Sequence, residues 1–445
     1  MKKIFNLFDF SQKVNYRTEI LAGITVAMTM IPESLSFAIL AGFPPLVGLY
    51  GAFIMGLVTA ILGGRPGLIS GGAGATVIVL IALMKSDGLE FVFAAVALAG
   101  VLQILVGVFK LGKFIRLVPQ PVMFGFVNGL AVIIFMSQLD QFKTVVNGQQ
   151  IWLTGSPMYI MLGLVALTIG IVVLTPKFTK TVPASLVAIM VVFALVYFFG
   201  IETKTVRDIA SISGGFPPFH IPNIPINFET LQIIFPYALI MASVGLTEGL
   251  LTLNLVDEIT ETRGNGNREC IAQGSANILN GFFFGMGGCP MIAQTLVNLS
   301  AGSRARLSGI IAALTILVII LFGAPIIELL PMAALVGVMI MVAIGTFEWA
   351  SFRIFNKMPK HDIFVGIVVA LITILLHNLA LAVLIGVIIG ALVFAWESAK
   401  RIRAKKYIDE KGVKHYEIYG PLFFGSTTAF SEKFDIKNDS KVVIF

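Results

Sequence analysis

Charge is scarce in this chain. Asp, Glu, Lys and Arg make up 12% of its 445 residues, while 57% are hydrophobic. Globular domains carry roughly 25% charged residues, so a soluble protein of this length could not cover its surface with so few. A mean hydropathy of +0.94 points the same way, because a hydrocarbon solvent requires an apolar exterior. Cysteine is scarcer still. Cys270 and Cys289 are the only two, which excludes a disulfide framework and a zinc site. The four histidines, His220, His361, His377 and His415, fall in loops, in the tail or near a helix end, which speaks against a catalytic or metal role. No stretch resembles GxxxxGK[ST], so ATP-driven transport by this chain alone is disfavoured. The chain reads as neither an enzyme nor a cofactor protein. Its first residues, MKKIFNLFDFSQKVNYRTE, are basic but lack a small-residue cleavage site after a short apolar run. Residues 1–19 therefore read as a retained cytoplasmic segment rather than a signal peptide.

What is present is a succession of apolar segments. They lie near 20–40, 46–63, 74–84, 91–109, 121–139, 158–174, 183–200, 231–256, 271–285, 291–300, 307–323, 331–346, 364–378 and 380–397. Most approach the roughly 20 residues that a spanning helix needs. The segments starting near Ala73 and Met291 do not. Each holds about ten apolar residues and follows a glycine-rich stretch, which makes a poor helix. With the N-terminus inside and every segment crossing, 17 Lys and Arg fall on inner loops and 4 on outer loops, and the C-terminal tail holds the other 10. That asymmetry is the positive-inside pattern, and it holds only if both short segments cross. The net charge of +7 is thus a topology signal, and no nucleic-acid partner is expected.

After Trp396 the composition turns polar, and KHYEIYG and KVVIF read as strands. The tail reads as the opening of a cytoplasmic α/β domain, truncated or vestigial, since about 45 residues cannot bury a stable core alone. The outline is an all-α polytopic membrane protein: 1–19 cytoplasmic, 20–398 transmembrane, and 399–445 the partial domain. The stretch from Ile201 to Asn227 reads as an outer loop.

Two parts of the chain share a plan. ITVAMTMIPESLSFAIL carries one acid, Glu33, and leads after a second helix to GGRPGLISGGAGATVIVLIALM. IFPYALIMASVGLTEGLLTLNLV carries Glu248 and leads after another helix to NGFFFGMGGCPMIAQTLVNLSAG. Glu33 precedes Gly71 by 38 residues, and Glu248 precedes Gly287 by 39. The first unit starts inside and the second outside, so the two are inverted. Inverted repeats with one broken segment each are a recurrent transporter plan, with the binding site between the breaks. A helix that begins within the membrane leaves its first N–H groups unpaired and carries about +0.5 of a charge there. Two such starts, at Ala73, Gly74 and Ala75 and at Pro290, Met291 and Ile292, would hold a small anion without a fixed cation. Either glycine stretch alone suits a packing seam equally well. The matched pair, each behind an acid-bearing helix, favours a site.

A carboxylate within the membrane is a functional hypothesis by default. Glu248, with Thr247 beside it and Thr252 one turn on, offers oxygens to Na⁺ or a carboxylate that takes a proton. The alternative is a neutral acid hydrogen-bonded to a broken helix. Glu33 follows Pro32, which can kink the helix and free carbonyls. It would line the same pocket, with Phe37 covering the substrate, and a structural or gating role suits it as well as coupling. Asp257, Glu258, Glu261, Arg263 and Arg268 read as a solvated inner loop, and Arg304 and Arg306 as topology markers only.

Four stretches carry a family resemblance: IPESLSFAILAGFPPLVGLYGAF, GGRPGLISGGAGATVIV, EGLLTLNLVDEITETRGNGNRECIAQGSANILNGFFFGMGGCPMIAQTLVN and AGSRARLSG. The chain resembles the SulP (sulfate permease) family, bacterial relatives of the solute-carrier anion transporters that include prestin. Its tail, YGPLFFGSTTAF, looks like the opening of a STAS domain. The resemblance implies fourteen segments in a seven-plus-seven inverted repeat, with segments 3 and 10 as half-helices. It also implies a core (about 20–116 and 231–323) moving as an elevator against a gate (about 117–200 and 324–398), often in a homodimer. The implied anion site falls on Ala73, Gly74, Pro290, Met291 and Ile292, and the implied coupling site for Na⁺ or H⁺ on Glu248 and Thr252. Many members have Gln where this chain has Glu33, and many have a hydroxyl residue at the half-helix starts where this chain has Ala73 and Ile292. An extra acid points to proton coupling, and a hydroxyl contact to the anion is not expected.

Together these readings give a cation-coupled symporter of sulfate or bicarbonate, with dicarboxylates next, in a bacterial inner membrane with both termini cytoplasmic. The rivals are an anion exchanger or channel with a structural Glu248, a nucleobase–cation symporter, and a membrane sensor that transports nothing. A nucleobase carrier would need more side-chain hydrogen-bond partners than Ala, Gly, Met and Ile supply.

Overall fold

The computed structural model describes residues 15–111, 120–146, 149–178, 183–208, 214–354, 359–376, 379–409, 413–422, 426–434 and 443–444. Residues 1–14 of the expected N-terminal segment lie outside the described residues, as do Lys113, Arg116, Lys180, Lys357, His377 and part of the STAS-like tail. Helices dominate: α1 (Tyr16–Leu40), α2 (Pro45–Leu62), α3 (Gly74–Ser86), α4 (Leu89–Val108), α5 (Gln120–Gln138), α6 (Ser156–Phe178), α7 (Ala184–Phe199), α8 (Phe228–Thr260), α9 (Gly266–Phe282), α10 (Ile292–Ser300), α11 (Leu307–Phe322), α12 (Ala324–Glu328), α13 (Met332–Thr346), α14 (Ala350–Ile354), α15 (Lys360–Leu376), α16 (Leu379–Lys400) and α17 (Thr427–Ser431). The strands are short: β1 (Ser70–Gly71), β2 (Lys143–Val146), β3 (Gln149–Trp152), β4 (Cys289–Pro290), β5 (Arg403–Ile408), β6 (Lys414–Tyr419) and β7 (Val443–Ile444).

Every apolar segment read from the sequence falls on a helix. The physical reason is that a helix satisfies all its backbone groups internally, as an apolar solvent demands. Among the described residues six helices are long and apolar enough to cross a membrane, and five apolar helices are shorter. Where α1, α8 and α9 begin, an asparagine caps them: Asn15, Asn227 and Asn265 accept from the N–H of Thr18, Thr230 and Arg268 at 3.3, 2.8 and 3.1 Å. The segment expected at 271–285 starts a turn earlier and stops at Phe282, before Phe284 at φ +55°. After α5, β2 and β3 pair antiparallel, with Lys143 opposite Trp152. The apolar periodicity carried no sign of it.

Packing is reciprocal between distant parts of the chain. Helix α4 packs on α8 and α9, while α11 packs on α1 and α2; α3 packs on α8, while α10 packs on α1. A second set has the same habit: α5 packs on α15 and α16, and α13 on α6 and α7. Helix α1 touches α5, α7 and α13 of the second set, and α16 reaches back to α3 and α8. In the tail, β5 and β6 pair antiparallel and β6 and β7 parallel, in accord with the strands expected at KHYEIYG and KVVIF.

The loops read from the sequence as inner are less solvated than expected. Arg65, 7% exposed at its side chain, pairs with Asp257 at 3.1 Å and donates to the Val256 carbonyl and to the hydroxyls of Thr260 and Thr262. Arg268 donates to the Leu62 carbonyl at 2.8 Å, and Arg306 to those of Ala60 and Gly63. These arginines satisfy carbonyls at helix ends, so Asp257 and Arg268 are not simply solvated and Arg306 does more than mark topology. Glu19 does the converse. Its carboxylate is buried and accepts from the backbone N–H of Arg304, Ala305 and Ser308 at 2.8, 3.0 and 3.0 Å. A Glu19→Ala change orphans three donors, each costing about 1–3 kcal/mol when buried. The melting temperature of the purified protein, read by intrinsic fluorescence, is expected to fall by several degrees. Glu19→Gln, which keeps one acceptor oxygen, should fall about half as far.

Candidate functional site

Strands β1 and β4 pair antiparallel, Ser70 with Pro290 and Gly71 with Cys289. The two glycine-rich stretches are therefore paired with each other, and their glycines also let α1 and α8 come close. Helix α3 begins three residues after β1 and α10 two residues after β4. The Met291 N–H donates to the Ile69 carbonyl at 2.9 Å, and the Ile69 N–H to the Thr295 hydroxyl at 3.0 Å. Ala73 and Met291 are the N-cap residues, and neither caps with its side chain. Both are buried and pack with Cys289 in one small cluster. The pairing brings two uncapped helix starts together at the middle of the fold.

A helix supplies its own acceptors only from its fourth N–H onward. Val77 donates to the Ala73 carbonyl at 3.1 Å and Thr295 to that of Met291 at 3.1 Å, so the N–H groups of 74–76 and 292–294 have no partner within their own helices. Both starts carry the positive end of a helix dipole. The Phe37 ring of α1 lies over the first of them: a Cβ built on Gly74 would sit 2.5 Å from Phe37 Cε1. Phe37 and Ala75 share one buried cluster. Ile292, by contrast, is 39% exposed.

The two acids have separate partners, both close to the start of α10. Glu248 accepts from the Cys289 thiol at 3.1 Å. The Gln294 side-chain amide donates to Glu33. Both acids are half-buried. Thr252 is fully buried, and its hydroxyl donates to the Glu248 carbonyl at 2.7 Å. With its proton so engaged, the Thr252 oxygen keeps its lone pairs for a cation. The Thr247 hydroxyl donates to the Ser243 carbonyl instead.

Amides brace the strand. Asn277 of α9 accepts from the Gly288 N–H at 2.9 Å and donates to the Gly288 carbonyl at 3.1 Å and to Gln103 of α4 at 2.9 Å. Sequence reasoning passed over Cys289, Gln294, Asn277 and Gln103. A signal was present for some of them. Gln273, Asn277 and Asn280 recur at helical spacing and are all fully buried. An amide stripe on a membrane segment marks a face turned to protein. Nothing comparable marks Cys289, an apolar-looking residue in an apolar stretch. Of the histidines, His220 sits 2.8 Å from a Glu90 carboxylate oxygen and His415 3.0 Å from one of Asp409. Among the described residues no group of three or more His, Cys, Asp or Glu could hold a metal ion.

Residues 16–369, beginning at α1 and ending within α15, match the model of the sulfate permease family. The chain belongs to that family of membrane anion transporters. A putative sulfate transporter of Bacillus subtilis, YbaR, is 39% identical over 430 residues, covering 97% of this chain and 87% of the relative. The bicarbonate transporter BicA of Picosynechococcus is 30% identical over 473 residues, covering 97% and 83%. Among solved structures, the transmembrane domain of a cyanobacterial BicA superposes with a TM-score of 0.72 at 29% identity, covering 84% of this chain and 98% of that one. Murine Slc26a9, an anion transporter in the inward-facing state, gives 0.80 at 18% identity, covering 97% and 81%. At that identity the likeness speaks to the fold alone. The chain is thus a multi-pass membrane transporter of the sulfate permease family, and not an enzyme.

Proposed function

We propose that this chain is a secondary active symporter that carries a small oxyanion, sulfate or bicarbonate, together with Na⁺ or H⁺. The observation that carries the reading is the β1–β4 pairing, which joins two uncapped helix starts with Glu248 alongside. The anion lies between the N–H groups of 74–76 and 292–294, held by amides and dipoles. Ala73, Gly74 and Ala75 form one wall, Pro290, Met291 and Ile292 the other, and Phe37 and Glu33 complete the lining. No Lys or Arg lies in these stretches, so the anion is bound without a salt bridge to delay its release. Glu248 and Thr252 hold the coupling cation, whose charge offsets that of the anion. Glu33 is a second acid for a proton.

The reciprocal packing of α1–α4 with α8–α11, and of α5–α7 with α13, α15 and α16, supports an inverted seven-plus-seven repeat of fourteen spans. The first set is the core, which moves as an elevator against the second, the gate. The main helix contacts between the sets run through α1 and α16 and are slight beside those within each set, which suits a sliding boundary. The excess of basic residues on alternate loops favours cytoplasmic termini in a bacterial inner membrane, and the tail is read as the start of a STAS domain in a homodimer.

The test is uptake of labelled sulfate and of labelled bicarbonate by purified protein in proteoliposomes, with an inward Na⁺ gradient, an inward H⁺ gradient, or neither. One anion is expected to accumulate above its equilibrium level under one gradient and not without it. Flux that no cation gradient stimulates would make the chain an exchanger or channel. Absence of flux for both anions, with dicarboxylates also inert, would make it a sensor.

A further inference from the structure

The Cys289 side chain touches Glu248 and both helix starts. Its thiol donates to Glu248 Oε2 at 3.1 Å, and its side chain packs with Ala73 and Met291, the N-caps of α3 and α10. It is fully buried. Its place is set from three sides. Gly71 pairs with it across the two-stranded sheet. Asn277 holds both backbone polar groups of Gly288, the residue before it. On the third side α8 presents a flat face: a Cβ on Gly245 would lie 3.5 Å from Cys289 Cβ, and one on Gly249 would lie 3.1 Å from Pro290 Cδ. Those two glycines flank Glu248 by about one turn and one residue, so β4 can lie directly against the acid.

We propose that the Cys289 thiol is the positioning residue through which cation occupancy at Glu248 is transmitted to the anion cradle. This rests on the reading of Glu248 as the cation site. A thiol is a weak donor, and its bond to a carboxylate strengthens with the negative charge on the acceptor. While Glu248 is ionised and empty, the thiol is drawn to it and holds β4, and with it the start of α10, toward α8. When a cation or proton takes up that charge, the thiol's bond weakens. Strand β4 then relaxes toward Ala73, and the two sets of amides close on the anion. Cation and anion would thus favour one another because both act on the same short strand, which is the reciprocity that coupled binding requires. The other cysteine, Cys270 on α9, is also buried but lies outside the cluster of Ala73, Cys289 and Met291, and serves as a control.

The test compares Cys289→Ala, Cys289→Ser and Cys270→Ser in proteoliposomes, with wild type and Glu248→Gln alongside. Uptake of labelled sulfate and bicarbonate is measured as a function of Na⁺ concentration and of pH. In Cys289→Ala the cation concentration for half-maximal uptake is expected to shift about fivefold, about 1 kcal/mol. The anion KM at saturating cation should stay within about twofold. Cys289→Ser, whose hydroxyl is also a donor, should restore wild-type cation dependence, and Cys270→Ser should not alter it. If the Ala variant fails to reach the membrane, Cys289→Val, a non-donor of similar volume, replaces it in the same comparison. An Ala or Val variant with wild-type cation dependence overturns the proposal. So does a Ser variant as defective as Ala, since that would assign the effect to volume. If Glu248→Gln keeps wild-type cation dependence, the cation reading falls and takes the proposal with it. If Glu248→Gln loses that dependence and Cys289→Ala keeps it, the proposal alone falls.

Discussion

Glu248→Gln is expected to abolish concentrative uptake while leaving the protein folded. Glutamine has nearly the same shape and keeps an oxygen to accept from the Cys289 thiol. The hydroxyl of Thr252, which donates to the backbone carbonyl of residue 248 and not to its side chain, is undisturbed. What disappears is the charge that balances Na⁺, or the group that takes a proton. Loss of the one charged ligand costs ~3 kcal/mol, about a hundredfold in cation affinity. Gradient-driven accumulation should therefore drop by about two orders of magnitude, while exchange of labelled for unlabelled anion across the same liposomes persists. Glu33→Gln is a milder change. Its donor, Gln294, can turn to offer either oxygen or nitrogen, so part of the bond survives and uptake should fall less than in Glu248→Gln.

The second large effect is expected at Gly288. A Cβ there would land on the carbonyl oxygen of Gly71. That oxygen is backbone, held in the β1–β4 pair, and cannot rotate away as a side chain can. Gly288→Ala must therefore push the two strands apart, and with them the starts of α3 and α10. Such overpacking against fixed backbone costs about 1–3 kcal/mol or more. Transport of both anions should fall by about a hundredfold, and the melting temperature should drop by several degrees. Gly170→Ala on α6 is the control, because nothing lies within 4 Å of a Cβ at that position. It removes a mid-helix glycine, which is stabilising by roughly 0.5–1 kcal/mol, and should leave transport intact.

Much of this arrangement was legible in the sequence, for a physical reason. A chain with apolar runs near 20 residues has little choice but helices in hydrocarbon, so the segments from 20–40 to 380–397 were readable one by one. The two short segments stood out because glycine stretches cannot continue a helix cheaply. Their matched distance from Glu33 and Glu248 made them a pair. What could not be read was contact across the fold. The pairing of Ser70 with Pro290 joins residues 220 apart in the chain, and a two-residue strand has no periodicity to detect. Gln294 was missed because it reaches Glu33 of α1 from the opposite unit, and Cys289 because it lies 41 residues from Glu248 within its own unit and looks like one more apolar residue. The inner loop around Asp257 looked solvated because its composition is polar. In the fold Asp257 pairs with Arg65, and Arg268 donates to the Leu62 carbonyl at the end of α2.

The central physical claim is that bare backbone amides at two opposed helix starts bind the transported anion. Amide hydrogen exchange reads those groups directly. Purified protein in lipid nanodiscs would be exchanged with and without saturating sulfate or bicarbonate, in the presence of the coupling cation. The expected result is slowed exchange confined to peptides that contain residues 74–76 and 292–294 when the transported anion is added. Unchanged exchange at both starts, with protection appearing elsewhere in the chain under an anion that the protein demonstrably carries, would contradict it.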